Sequence, residues 1–356
     1  MSETKKLLKK HSTAKLICKN TLLFLFNIAF VWVYQMIFGQ ANILPGVAVC
    51  VAATMFPITD FGIRPLTMVF ITFLLFLGSG LTAQLALASP LIALPINFVF
   101  VMLIMLLTSE PYQLKPFICF LLCFIFSQAT PVPWSEFPLR MESLLIGSVI
   151  VCAATVIWWR KKGYGKNARS LKEQVLLSSK RKSLILRMSV GLALAMLIGM
   201  AFHLKKPLWI SIVVMSLTQL EFSETFLRIK YRVVATLIGS AVFVILFQIL
   251  VPAEFSMLLI MLFCYLSFYT PEYKYKQIVN AICALNASLL LLNTPVAIEN
   301  RFLCLLSGIG IVLLLILLHH VYQKLRHRPV QRLLNKGAPR DTSSAQNRLC
   351  HAGSHE

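Results

Sequence analysis

Charge is scarce in this chain, and acidic charge scarcest. Of its 356 residues 13% are charged, and Asp plus Glu number 13 against 34 Lys plus Arg. A soluble domain carries about a quarter charged residues, so an ordinary water-soluble fold is excluded. No G-x-x-x-x-G-K-[ST] phosphate loop occurs, so any active transport must draw on an ion gradient or a partner. The nine cysteines form no C-x-x-C pair, are odd in number and lie mostly inside apolar runs, which supports neither a zinc site nor a disulfide framework. No Ser/His/Asp grouping or metal-ligand spacing stands out, so the sequence implies no enzyme and no cofactor. His319 and His320 are adjacent, project to different sides of a helix, and make a poor metal pair.

What is abundant is hydrocarbon. Hydrophobic residues make up 58% of the chain and the mean hydropathy is +0.78. Apolar runs near bilayer-spanning length recur throughout, which predicts an all-α polytopic membrane protein. Breaking the runs at charges and prolines predicts about 12 transmembrane helices. The first set lies near 20–38, 43–58, 66–84, 91–108, 116–129 and 140–159. The second lies near 184–202, 207–220, 232–250, 255–270, 277–292 and 301–322. The segment after the N-terminal lysines is read as a membrane helix: its n-region is long, its apolar run outlasts a signal sequence, and no small-x-small site comes after it.

The net charge of +21 is distributed like that of a membrane protein rather than a nucleic-acid binder. Lys and Arg gather in a basic N-terminus (1–19), a linker (160–183) and a polar basic tail (323–356). The positive-inside rule places all three on the cytoplasmic side, where they can rest on anionic lipid headgroups. With both termini cytoplasmic, all but four of the 34 Lys and Arg fall on that side; the exceptions are Arg140, Lys205, Lys206 and Arg301. Leu171, Val175 and Leu176 interleave with the bases of the linker, as in an amphipathic helix on the membrane surface.

An internal repeat is the more informative signal. A gapless shift of 161 positions pairs Asp60-Phe61 with Glu221-Phe222, Gly78-Ser79 with Gly239-Ser240 and Tyr112 with Tyr273. The same shift pairs Lys115 with Lys276, Arg140 with Arg301 and Gly147 with Gly308. This predicts two parallel six-helix repeats, 20–159 and 184–322, related by an axis along the membrane normal, with a substrate path between them.

Each repeat carries a charged corner: Asp60 and Arg64 in the first, Glu221, Glu224, Arg228 and Arg232 in the second. One reading is structural: bases snorkel at a helix boundary, and Glu221 and Glu224 pair with Arg228 at helical spacing. The other is functional: the corners line an inner vestibule where arginines draw an anion and a carboxylate exchanges protons. Thr218 and Gln219 directly precede the second corner. Glu142 is the acid nearest membrane depth, with Arg140 as its neutralising neighbour.

The stretch "PLWISIVVMSLTQL…ETFLRIKYRVVATLIGS" (207–240) resembles the signature of the fusaric acid resistance and aromatic acid exporter family. Trp209, Thr218, Gln219, Thr225, Arg228, Arg232, Thr236 and Gly239 match its pattern, while Ala235 replaces an expected glycine. The first half, with "NILPGVAVCVAATMFPI" and "RPLTMVFITFLLFLGSGL", is similar to the degenerate copy in a branch of the same superfamily. The resemblance implies a bacterial inner-membrane efflux protein for aromatic or other hydrophobic carboxylic acids, often working with a periplasmic adaptor. Many members carry a large soluble domain between the halves, where this chain has only 160–183.

The leading expectation is therefore a proton-coupled exporter of organic anions, with Arg64, Arg228 and Arg232 drawing substrate and Asp60, Glu142 or Glu221 handling protons. A passive organic-anion channel and a non-transporting membrane scaffold are the alternatives.

Overall fold

The computed structural model describes residues 2–337 apart from 166, 167, 203, 205, 271 and 290–292. Lys205, Cys350 and the tail beyond 337 lie outside the described residues. Among these, every regular element is a helix, with one isolated bridge between Ile63 and Arg169. The helices are α1 (Ser2–Phe38), α2 (Ile43–Met55), α3 (Pro65–Ala86), α4 (Pro90–Thr108), α5 (Phe117–Ala129), α6 (Phe137–Lys162) and α7 (Leu171–Ser179). They continue with α8 (Lys182–Ala201), α9 (Leu208–Leu217), α10 (Phe222–Val244), α11 (Ser256–Leu266), α12 (Tyr273–Leu289) and α13 (Thr294–Gly337).

Each expected membrane segment overlaps a helix among the described residues, and the helices differ in whether they are long enough to cross on their own. Among the described residues seven helices are long and apolar enough to span a bilayer: 14–38, 65–86, 90–108, 137–162, 182–201, 222–250 and 294–325. Apolar helices α2, α5 and α9, and the segment Ser256–Tyr269, are shorter. Ten residues, as in α9, rise about 15 Å, half the hydrocarbon thickness.

Local chemistry sets the helix ends. Pro65 and Pro90 occupy first-turn positions, where a missing N–H costs nothing. Gly163, at φ 69°, ends α6 in the left-handed conformation that glycine adopts without a Cβ clash. The linker holds one helix, α7, opened by a capping box between Ser170 and Glu173; it buries the polar Gln174 and Ser178 and leaves Leu176 exposed, which is not the apolar face expected from Leu171, Val175 and Leu176.

The chain divides into two units, Met1–Val312 and Leu313–Glu356. Within the first unit, α2, α3, α5 and α6 pack together around Phe56, Phe61, Phe76, Phe120 and Trp159, all fully buried. Trp159 Nε1 donates to the Phe56 carbonyl at 2.9 Å, tying α6 to the end of α2. A second apolar cluster joins Phe243, Phe247, Ile282, Leu285 and Ala297. The two regions are linked by α4 along α8 and α5 along α9. Asn97 on α4 accepts from Gln128 on α5, the interhelical role expected of a lone amide in hydrocarbon.

Arg140 is 2% exposed and donates to Asn42 Oδ1 and to the carbonyls of Ala41, Ser127 and Thr130. It therefore stitches the α1–α2 turn and the end of α5 to the start of α6. Its expected role as neutraliser of Glu142 is corrected: residues two apart face different sides of a helix, and Glu142 is exposed.

At the other end of the first unit the basic loops converge. Arg64 N donates to Arg169 O at 3.1 Å, Gln174 Nε2 to Glu110 O at 2.9 Å, and Leu220 N to Tyr112 Oη at 2.9 Å. Arg181 pairs with Glu110 across the same end.

Candidate functional site

The turn between α9 and α10 carries the site. Helix α9 stops at Leu217; Thr218 caps it with extended backbone, its Oγ1 donating to Val214 O at 2.8 Å. Helix α10 begins at Phe222, ten residues before the expected span 232–250, so the charged stretch is helical from that residue. Arg228 and Arg232 therefore lie four residues apart on one helical face and point back toward α9.

Gln219, in the turn itself, is buried and its amide is fully bonded. Its Oε1 accepts from Lys115 Nζ at 2.7 Å and from Tyr112 Oη at 3.2 Å; its Nε2 donates to Ser216 O at 2.9 Å and to Thr218 O at 3.1 Å. Arg187 Nη2 donates to the carbonyls of Gln219 and Leu220, both at 3.1 Å. One amide thus ties the α4–α5 loop to the α9–α10 turn.

Beside this knot opens a cavity of about 610 Å³ between α5, α9, α10, α12 and α13. Five of its lining side chains are cationic: Lys115, Arg228, Arg232, Lys276 and Arg301. Phe117, Phe126, Trp209 and Tyr273 supply aromatic walls, and Asn280 and Gln277 add amides. Among the described residues no Asp or Glu lines it. Its lining runs along α9 from Ser216 to Trp209, a rise of about 10 Å.

The cations meet aromatic faces and neutral oxygens instead of carboxylates. Arg228 lies 4.6 Å from the centroid of Tyr273 and Arg301 lies 4.7 Å from that of Trp209. Arg228 Nη1 donates to Ser216 O at 3.4 Å, and Arg232 donates to Ser216 Oγ. Arg232 is 3% exposed and Arg301 7%. Among the described residues the ion pairs are Arg181–Glu110 and Lys274–Glu272, neither of which involves a cavity cation. Buried positive charge without a paired acid is a standing demand for an anion. At the mouth, burial pushes the Lys115 ammonium below its usual range, with neighbouring Arg228 adding to the effect. Burial also raises the Tyr112 phenol.

The expected site residues separate into groups. Gln219, Arg228 and Arg232 line the cavity, and Thr218 is buried beside it. Glu221 and Glu224 are exposed, and the ion pairs expected with Arg228 do not form because the guanidinium turns to Tyr273. Asp60 and Arg64 line no part of this cavity. Asp60 Oδ1 accepts from Gly62 N at 2.8 Å in a local turn, and Arg64 borders a different hollow. Glu142 lies at the far end of α6 from the basic loops. The two corners thus do not form one vestibule.

Sequence reasoning misses Lys115, Trp209, Tyr273, Lys276 and Arg301 as site residues. Four of them leave a trace in the repeat, where Lys115 with Lys276, Tyr112 with Tyr273, and Arg140 with Arg301 are pairs at the 161-residue shift; Trp209 stands in the motif at 207–240. Among the described residues no group of three His, Cys, Asp or Glu side chains could hold a metal.

Comparison with known proteins matches residues 194–315, which span α9 to α12 and the cavity-lining part of α13, to the family described as fusaric acid resistance protein-like. No curated protein and no solved structure gives a match.

Proposed function

The chain carries a fusaric acid resistance protein-like region at residues 194–315, and from that premise we propose that it moves aromatic or other hydrophobic organic anions across the membrane through the cavity described above. The observation that carries the reading is the cavity's lining: five cations, four aromatic rings and, among the described residues, no acid. A carboxylate fits the Arg232 and Arg301 forks, and an aromatic body fits between Trp209, Phe126 and Tyr273.

The side of the cavity mouth is argued from charge. The loops that meet around Lys115 and Gln219 include Arg64, Arg169 and Arg181, so the positive-inside rule makes this the cytoplasmic end. The mouth then opens to the cell interior and both termini are cytoplasmic, as in an efflux protein of a bacterial inner membrane.

Two equivalent halves remain part of the proposal. Shifting helix ranges by 161 carries α2 to 204–216 over α9, α3 to 226–247 over α10, α5 to 278–290 over α12 and α6 to 298–323 over α13. The close packing is similar in kind: Gly147 on α6 lies against Val49 of α2, and Gly308 on α13 lies against Val213 of α9 with the Ile210 carbonyl next. These correspondences support the repeat.

A second reading, a passive anion channel, is favoured by one observation. The acids expected to exchange protons, Asp60, Glu142 and Glu221, lie outside the cavity, so none of them is placed there to couple anion to proton. Reconstituted liposomes separate the readings. Saturable flux of labelled benzoate-type acids that tracks an imposed potential at equal pH selects the channel; flux that needs a pH gradient selects the coupled exporter. Flux no greater than that of protein-free liposomes would sink both.

A further inference from the structure

The hollow around Arg64 is separate from the anion cavity and calls for its own occupant. It measures about 980 Å³ and is lined by the first turn of α3, the end of α6 and the start of the linker. Three arginines face it, Arg64, Arg160 and Arg169, against one acid, Glu173. Its Oε2 accepts from Ser170 N at 2.7 Å and from Ser170 Oγ at 2.9 Å, and its charge acts on Arg64, which leaves the three arginines in excess of the one acid.

The backbone holds Arg64 and Arg169 in place. Ile63 and Arg169 form a parallel bridge, Arg169 N donates to Gly62 O at 3.0 Å, and Arg64 Nε donates to Ala168 O at 3.2 Å. Arg169 spends Nε on Gly62 O at 3.1 Å and Nη2 on Phe61 O at 2.7 Å. Helix α3 has no side-chain cap, and Leu66 and Thr67 of its first turn line the hollow, so their N–H groups add dipolar attraction for an anion. Gly165, at φ 78°, lies against Pro65 and lets the linker pass closely over this turn.

The surroundings of the hollow are hydrocarbon-facing. Leu66 is 84% exposed, and Phe70 and Ile157 continue exposed apolar surface along α3 and α6, two of the helices long enough to span. Two held guanidinium groups, Arg64 and Arg169, with the exposed Arg160 beside them at the end of such a surface match an anionic headgroup whose acyl chains lie along the helices.

We propose that Arg64, Arg160 and Arg169 form a binding site for the phosphate of an anionic phospholipid, with Leu66 and Phe70 contacting its acyl chains. The proposal rests on the membrane reading above but not on transport.

The test is native mass spectrometry of the protein released from nanodiscs of phosphatidylglycerol and phosphatidylcholine. The wild type should retain phosphatidylglycerol preferentially. R160Q should reduce that preference about tenfold and R64Q/R160Q further, since each guanidinium–phosphate bond is charge-assisted. Arg169 supports the loop and is tested only as R169K, which keeps the charge. Binding of a benzoate-type acid to the same variants reports an intact fold and should be unchanged. Equal phosphatidylglycerol retention by wild type and R64Q/R160Q overturns the site. Inorganic phosphate binding as tightly as the lipid assigns the hollow to a soluble ion and overturns the lipid assignment. Loss of benzoate flux with lipid retention intact would defeat the transport reading alone.

Discussion

Replacing Arg232 by methionine separates binding from folding. The Arg232 guanidinium lies near Arg301 and donates to Ser216 Oγ. Its removal leaves Ser216 satisfied, because that hydroxyl also donates to Val213 O at 3.2 Å. It also relieves repulsion between two buried cations and keeps most of the side-chain volume. Melting temperature in detergent should therefore hold or rise. Binding should suffer, because a carboxylate loses a charge-assisted hydrogen bond of about 1.5–3 kcal/mol, a factor of roughly 10 to 150 in Kd. R232K should fall between, keeping the charge but not the two-pronged geometry. The assay is isothermal titration with a benzoate-type acid alongside thermal unfolding. Unchanged affinity in R232M would refute the reasoning, and so would a collapse in melting temperature, which would make Arg232 a structural residue like Arg140.

The same geometry sets further outcomes. Because burial lowers the Lys115 pKa below its usual 10.5, the unfolded chain binds more protons between the depressed value and 10.5. Stability from this group therefore rises with pH through that window, while anion affinity falls as the ammonium is lost; a pH titration of Kd should show a fall that begins at lower pH in wild type than in K115M, which keeps only Lys276 as a cavity ammonium. Arg140→Leu leaves the carbonyls of Ala41, Ser127 and Thr130 without its guanidinium and the Asn42 oxygen with only a 3.4 Å bond from Ser143, and should lower unfolding free energy by about 3 kcal/mol while leaving the affinity of the surviving fold intact. Cysteine placed at Arg228 should react with a charged thiol reagent from the basic end and be shielded by an aromatic acid. Cysteine at Arg64 should react without shielding, since it borders the other hollow.

Much of the fold was legible because apolar run length and proline position act locally. Each expected segment lies on a helix, and Pro65, Pro90 and Gly163 end or begin helices where such residues do. The shortness of two segments was legible too: the runs 116–129 and 207–220 are brief in the sequence, and α5 and α9 are 13 and 10 residues long, because run length limits helix length directly. The site was half legible. Gln219, Arg228 and Arg232 are adjacent in sequence to the turn they build on, so a local pattern exposed them. Arg301 and Arg140 occupy equivalent places in the repeat yet do opposite work, one facing the cavity and one stitching loops. Which side of a helix meets which neighbour is decided by packing between distant segments, and linear spacing does not carry it.

The central claim is that an organic anion occupies the space between α5, α9, α10, α12 and α13. Diffraction from crystals soaked with 4-iodobenzoate, with anomalous maps to locate the iodine, tests it most directly. The account predicts a peak among Trp209, Phe126 and Tyr273 with the carboxylate on Arg232 or Arg301. Iodine found only on the lipid-facing surface, or in the hollow beside Arg64, would contradict it.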